Sequence, residues 1–188
     1  MKNLKLLAFY LLALFICGCI PSLHPLFKND QIIQDPRIVG YWAADDSNNI
    51  WEIKATEKGY EGIYIDESGK VGKFNVAAGK IGNNLFLDIY PKDASLSENN
   101  FYKLHLVAAH TFIKAQVNDK AMELWFINPE SLEKILKADA NAIQHERLEN
   151  GSIVLTASSE KIQQFLLKYG ANEEFQLFGK PLKATKLK

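Results

Sequence analysis

The feature that most constrains this fold is a stretch in which apolar residues recur at every second position between closely spaced turn signals. It runs over residues 38–128. Trp51, Ile53 and Ala55 alternate with Glu52 and Lys54, the period that gives a strand one buried and one wet face. Glu57-Lys58-Gly59 then reads as a turn. Residues 60–65 and 71–78 flank Asp66-Glu67-Ser68-Gly69, a hairpin signal. Gly82-Asn83 predicts a two-residue hairpin of type II′ or I′ before residues 85–90. There Leu85, Leu87 and Ile89 point one way, and Phe86, Asp88 and Tyr90 the other. Residues 91–100 form a polar loop, 102–109 and 112–117 read as strands, and Asn118-Asp119 turns into residues 121–127. The expectation is an antiparallel meander of about seven or eight strands.

The end of the chain has a different period. Asn128 suits a helix N-cap, Pro129 the first helical position and Glu130 the positive helix end. Leu132, Ile135 and Leu136 make one apolar face. Residues 153–156 read as a short strand. Ser158 or Ser159 then caps a second helix with Ile162, Phe165, Leu166 and Tyr169 on one side and Gly170 at its end. The tail, 181–188, is basic and is expected to fray. The fold class is therefore α+β: an antiparallel β meander forming a curved sheet or partly open barrel, with two C-terminal helices packed on it.

The N-terminus carries an address. Lys2 and Lys5 precede an unbroken apolar run over residues 6–16, the charged and apolar regions of a secretory signal. The run is shorter than the roughly 20 residues a spanning helix needs. Ile16-Cys17-Gly18-Cys19 follows and resembles the bacterial lipobox: a branched apolar residue, a small residue, Gly or Ala, then the lipidated cysteine. Cys17 at the small position departs from the usual Ala or Ser. Reading Cys17 itself as the lipid site would put Ile16 where a small residue belongs. The resemblance implies diacylglycerol on the Cys19 sulfur, cleavage after Gly18 and acylation of the new amino group. It also implies outer-membrane sorting, because the second mature residue is Ile20 rather than Asp. Domain limits follow: 1–18 signal peptide, 19–37 lipidated cysteine and tether, 38–188 a single globular domain. Pro21, Pro25 and Pro36 suit an irregular tether, and the alternative is that the apolar Leu23, Leu26 and Phe27 pack on the edge of the domain.

The only cysteines are Cys17 and Cys19. A mature chain lacking the first and acylated on the second has neither a disulfide nor a thiol for catalysis or zinc. The 22 basic residues balance 22 acidic ones, unlike the basic excess of a nucleic-acid binder.

Several segments are similar to a family of uncharacterised bacterial lipoproteins: Cys19-Ile20-Pro21-Ser22-Leu23-His24-Pro25-Leu26, Val39-Gly40-Tyr41-Trp42, Leu85-Phe86-Leu87-Asp88, Phe101-Tyr102-Lys103-Leu104-His105, His145-Glu146-Arg147 and Ile153-Val154-Leu155-Thr156-Ala157. That likeness implies an envelope address and no particular activity. Gly40-Tyr41-Trp42 at the head of the meander also resembles the Gly-x-Trp of lipocalins, barrels that hold small apolar ligands. The helix at Pro129 comes earlier than in a lipocalin.

No catalytic motif stands out. A Gly-x-Ser-x-Gly elbow, a phosphate loop and a dinucleotide fingerprint are all missing. Ser95, His110 and Asp88 could be assembled into a triad, and His105 or His110 with Asp88 into a metal site, but no ligand spacing supports either. His24 and His145 stand apart from these, and Asp66 and Glu67 belong to a turn. No cofactor is expected. The strand-rich region is dense in aromatics: Trp42, Trp51, Tyr64, Phe74, Phe86, Tyr90, Phe101, Tyr102, Phe112, Trp125 and Phe126. They suit a core, or the wall of an apolar cavity for a lipid-like ligand. The expectation is a lipid-anchored envelope protein, facing the periplasm, that binds a small apolar ligand. The alternative is an envelope protein–protein interaction module without a ligand.

Overall fold

The computed structural model describes residues 19–92 and 106–187. The signal segment and Gly18, the candidate residues Ser95 and His105, and the aromatics Phe101 and Tyr102 lie outside them.

The described strands are β1 (Pro21–Ser22), β2 (Gly40–Ala44), β3 (Ile50–Thr56), β4 (Gly59–Ile65), β5 (Val71–Ile81), β6 (Asn84–Pro91), β7 (His110–Val117), β8 (Ala121–Phe126), β9 (His145–Arg147), β10 (Ile153–Leu155) and β11 (Leu182–Leu187). Helix α1 (Pro129–Ala138) follows β8, and α2 (Ser159–Tyr169) follows β10. Strands β2 to β8 pair consecutively except that β11 stands between β8 and β2; with the β6–β7 pairing, eight of the described strands close into an antiparallel barrel.

Closure corrects the expectation of a curved sheet or partly open barrel. The tail does not fray. Leu182, Lys183, Ala184 and Thr185 pair with Leu124 to Ala121 on one side, while Ala184 to Leu187 pair with Ala44 to Tyr41 on the other. The reason is parity. Leu182 and Ala184 face inward and Lys183 and Thr185 outward, so the lysines hid a two-residue alternation. Lys186, again at the inward parity, reaches the end of the barrel. Its ammonium lies 5.0 Å from the Trp42 ring centroid and donates to the Arg37 carbonyl at 3.1 Å. Trp42, 1% exposed, donates its indole N–H to the Ile38 carbonyl at 2.9 Å. Gly40, at φ 139°, leaves the space that the Lys186 stem crosses: a Cβ there would stand 2.6 Å from Lys186 Cε.

Residues 20–37, expected as a tether, lie against the barrel. Ile20, Ser22, Leu26 and Phe27 are buried. β1 pairs antiparallel with β7 and parallel with β10, taking up the edge of β7 at His110 and Thr111, before β8 joins at Ile113. The chain then crosses the outer wall. The Phe27 ring occupies the space a Cβ on Gly79 would take, at 2.5 Å. A short 3-10 turn at Pro36–Ile38 tucks Ile38 under the barrel. Lys28 bridges to Glu160 at the start of α2 and, with the backbone and Ser158 hydroxyl, pulls the Glu160 carboxyl down to about 2. The contribution of this exposed bridge to stability is present above the ordinary glutamate pKa and fades as pH falls toward 2.

Two cores result. One fills the barrel, around Ile38, Trp42, Tyr60, Ala78, Ala115 and Val117. The other lies outside it, where Phe86 and Phe112 on the outer wall meet Leu26, Phe27 and the apolar faces of α1 and α2. The Asn128 cap follows the expected chemistry, whereas Ser158 stands at the N-cap of α2 without a side-chain cap hydrogen bond and Ser159 Oγ donates to the Pro25 carbonyl instead. Asn128 Oδ1 accepts from the N–H groups of Glu130 and Ser131, and Gly170 ends α2, with right-handed rather than left-handed backbone. At Gly82-Asn83 only the glycine has positive φ, at 57°, which selects type II′ over I′. Of the strand expected over 102–109, residues 106–109 are irregular.

Candidate functional site

Alternation along the strands decides what the barrel encloses. Lower down, toward Ile38 and the β7–β8 turn, Tyr60, Ala78, Ala115 and Val117 are buried in one cluster. In the other half a cavity of about 200 Å³ remains. Its wall is aromatic on one side, from Trp42, Trp51 and Tyr64, and aliphatic on the other, from Leu87, Ile113 and Met122. Ala44, Asn49 and Leu182 belong to the wall near the β2–β3 turn, and all three are only partly buried. Trp51 is held between neighbours, with ring centroids 4.9 Å from Tyr64 and 5.4 Å from Phe74. It has room because the residue beside it is Gly62, where a Cβ would come within 3.1 Å of both the Trp51 ring and Val76.

Asn49 is the polar exception in this wall. Its backbone closes the β2–β3 hairpin: the carbonyl accepts from Ala44 N–H at 3.1 Å, and the N–H donates to Ser47 Oγ at 3.4 Å. Its side-chain Oδ1 is buried and meets no hydrogen-bond donor among the described residues. A buried acceptor left without a donor costs about 1–3 kcal/mol. Burial raises the pKa of the Tyr64 hydroxyl, and Asp66 and Glu67 add to the effect, so this group stays neutral.

The structure sorts the aromatics by parity. Trp42, Trp51, Tyr64 and Phe126 line the cavity, and Phe74 packs behind Trp51. Phe86 and Phe112 belong to the outer core. Trp125 faces outward beneath the Lys114 ammonium. Asn49, Met122, Leu124, Leu182 and Ala184 are wall residues that sequence reasoning did not single out.

Asp88 and His110 do come together, on the outer wall rather than in the cavity. Asp88, 4% exposed, accepts from Leu26 N–H at 2.8 Å and lies 2.8 Å from His110 Nδ1, while Tyr90 stacks on the imidazole at 4.4 Å. The pair pins the N-terminal segment to β6 and β7. Among the described residues no group of three or more His, Cys, Asp or Glu is placed to hold a metal. His24 Nα–H donates to Ser22 Oγ, and His145 Nδ1 lies 2.9 Å from the Ile143 carbonyl. Asp66 accepts from the Ser68 hydroxyl and from the Ser68 and Lys70 N–H groups, a turn function that also lowers its pKa. Asp88→Ala would leave Leu26 N–H buried without an acceptor and strip His110 of its partner. We expect a loss of about 3 kcal/mol in urea unfolding. Asp88→Asn, which keeps an acceptor for Leu26, should lose less than half of that.

Cys19 is exposed at the start of the described chain, beside the N-terminus of α1 and the turn between β9 and β10. Among the described residues no helix is long and apolar enough to cross a membrane. Comparison of the chain with family models, with curated proteins and with solved structures finds no match in any of the three.

Proposed function

We propose that this protein is a lipid-anchored bacterial envelope protein whose barrel holds one small apolar ligand. The cavity carries the reading: about 200 Å³ of space inside a closed barrel, walled by aromatic and aliphatic side chains. Closed barrels of eight strands are just wide enough either to fill with side chains or to hold one small ligand. This one keeps free space among its inward-facing side chains. The space is somewhat larger than a buried cavity of about 150 Å³ that admits benzene. It suits one substituted ring or a short acyl segment, not a long lipid tail. The lysines, apolar run and Ile16-Cys17-Gly18-Cys19 support lipid attachment at Cys19 and cleavage after Gly18. Ile20 favours the outer membrane, with the domain facing the periplasm.

Native mass spectrometry of the protein purified gently from its own membranes tests the ligand. A stoichiometric extra mass, lost on denaturation, is the expected result. A clean mass in wild-type protein, together with failure to bind small aromatic probes, would reject the ligand reading in favour of a protein–protein interaction module. Ala184→Phe supplies the control. Ala184 is 6% exposed and lines the cavity, so a phenyl ring there takes most of the free space. The variant should keep its melting transition within a few degrees and lose the extra mass.

A further inference from the structure

Among the described residues the cavity wall includes no lysine, arginine, histidine or carboxylate. An ionised head group drawn into it would give up its hydration without meeting a counter-charge, a cost of several kcal/mol or more. Ammonium ions and ionised carboxylates are disfavoured on this ground. Yet the wall is not wholly indifferent to polarity, because Asn49 brings a side-chain amide to it whose Oδ1 has no donor among the described residues. The terminal torsion of asparagine is soft. Rotation about it turns the amide while the backbone stays fixed by the Ala44 and Ser47 hydrogen bonds.

We propose that the ligand is a neutral molecule with a hydroxyl on an apolar body, an alcohol or a phenol, and that Asn49 recognises the hydroxyl. This rests on the reading of the barrel as a ligand site. A hydroxyl donates to Oδ1; with the amide turned over it accepts from Nδ2, so it satisfies the side chain either way. The apolar body packs against Trp51, Leu87 and Met122. A hydrocarbon of the same size leaves the amide unsatisfied. An ionised carboxylate offers no donor and buries a charge.

The test is calorimetric titration of the purified protein at pH 7.5 with three matched probes: 4-ethylphenol, ethylbenzene and 4-ethylbenzoate. The phenol should bind about tenfold more tightly than the hydrocarbon, the size expected for satisfying one buried acceptor. The carboxylate should not bind measurably. In Asn49→Leu the phenol and the hydrocarbon should bind equally. Equal binding of phenol and hydrocarbon to wild-type protein, or tight binding of 4-ethylbenzoate, would overturn the role of Asn49 while leaving the cavity a ligand site. Failure of all three probes would reject the cavity as a ligand site, and the hydroxyl proposal with it. The wild-type comparison decides the matter even where the leucine variant folds poorly.

Discussion

Truncation after Pro181 should abolish cooperative unfolding, leaving a species that retains strand signal by circular dichroism but melts without a sharp transition. β11 is the single strand that joins the two ends of the meander, pairing with β2 and β8 at once. Removing it leaves two open edges, each able to template association. It also takes away Leu182 and Ala184 from the interior, and Lys186 from the face of Trp42. Trp42 would then lie beside an open seam, its burial lost along with that of Met122 and Leu124 across the gap. Exposing two or three large apolar side chains costs about 1.5–3 kcal/mol each. Domains of this size have only about 5–15 kcal/mol in hand. Urea unfolding followed by tryptophan fluorescence measures the effect. A cooperative transition with an unchanged midpoint would mean that the barrel does not depend on its last strand. Lys186→Met separates the parts: it keeps the strand and the packing on Trp42 and removes the charge with its hydrogen bond to the Arg37 carbonyl, so the loss should be about 1 kcal/mol.

The meander was legible because its turns and its inward parity are written locally. Leu85, Leu87 and Ile89 against Phe86, Asp88 and Tyr90 gives the correct two faces of β6, and Asn128-Pro129-Glu130 gives the start of α1. Closure was not legible, because it depends on a strand separated from its partners by two helices, and nothing local in Leu182-Lys183-Ala184-Thr185 distinguishes an inward-facing alternation from a basic tail. The N-terminal segment was legible in part: of the apolar residues that could pack on the domain, Leu26 and Phe27 do so and Leu23 does not. Three prolines argue against long regular elements, and the segment holds just the two-residue β1 and short 3-10 turns, but burial does not require more: Leu26 is fully buried while its N–H is satisfied by a side chain, Asp88, 62 residues away. Asp88 itself is on the polar-looking face of β6, and only the segment covering it turns that face into a second core. The wall residue with the most specific chemistry, Asn49, was invisible for the opposite reason. An asparagine between Asn48 and Ile50 is what any turn contains, and its unpartnered Oδ1 is a property of the closed barrel alone.

Cys19→Ser should leave the protein without the lipid mass, and any chain that has lost the apolar run over residues 6–16 should move from the membrane to the soluble fraction. Stable attachment needs more than one acyl chain, at about 0.8 kcal/mol per buried methylene. The described residues contain no helix that could replace the lipid. The variant that stays in the membrane fraction, carrying the wild-type mass, would sink the anchoring proposal. The geometry at this end adds a consequence that a loose tether would not have. Ile20 is 6% exposed and Ser22 fully buried, each held by the outer core or by pairing to β7 and β10. A lipid on Cys19 would thus be attached to the body with no spacer, and the start of α1 and the turn carrying Asn150, Gly151 and Ser152 lie next to Cys19. These are polar residues, fit for the headgroup layer rather than the acyl region. The anchor would therefore hold the barrel against the membrane surface in a restricted orientation, and a ligand would exchange with a barrel that does not roam. A flexible insertion between Cys19 and Ile20 would restore that freedom without touching either core, so fractionation should stay as in wild type while protease protection at the Asn150–Ser152 turn falls.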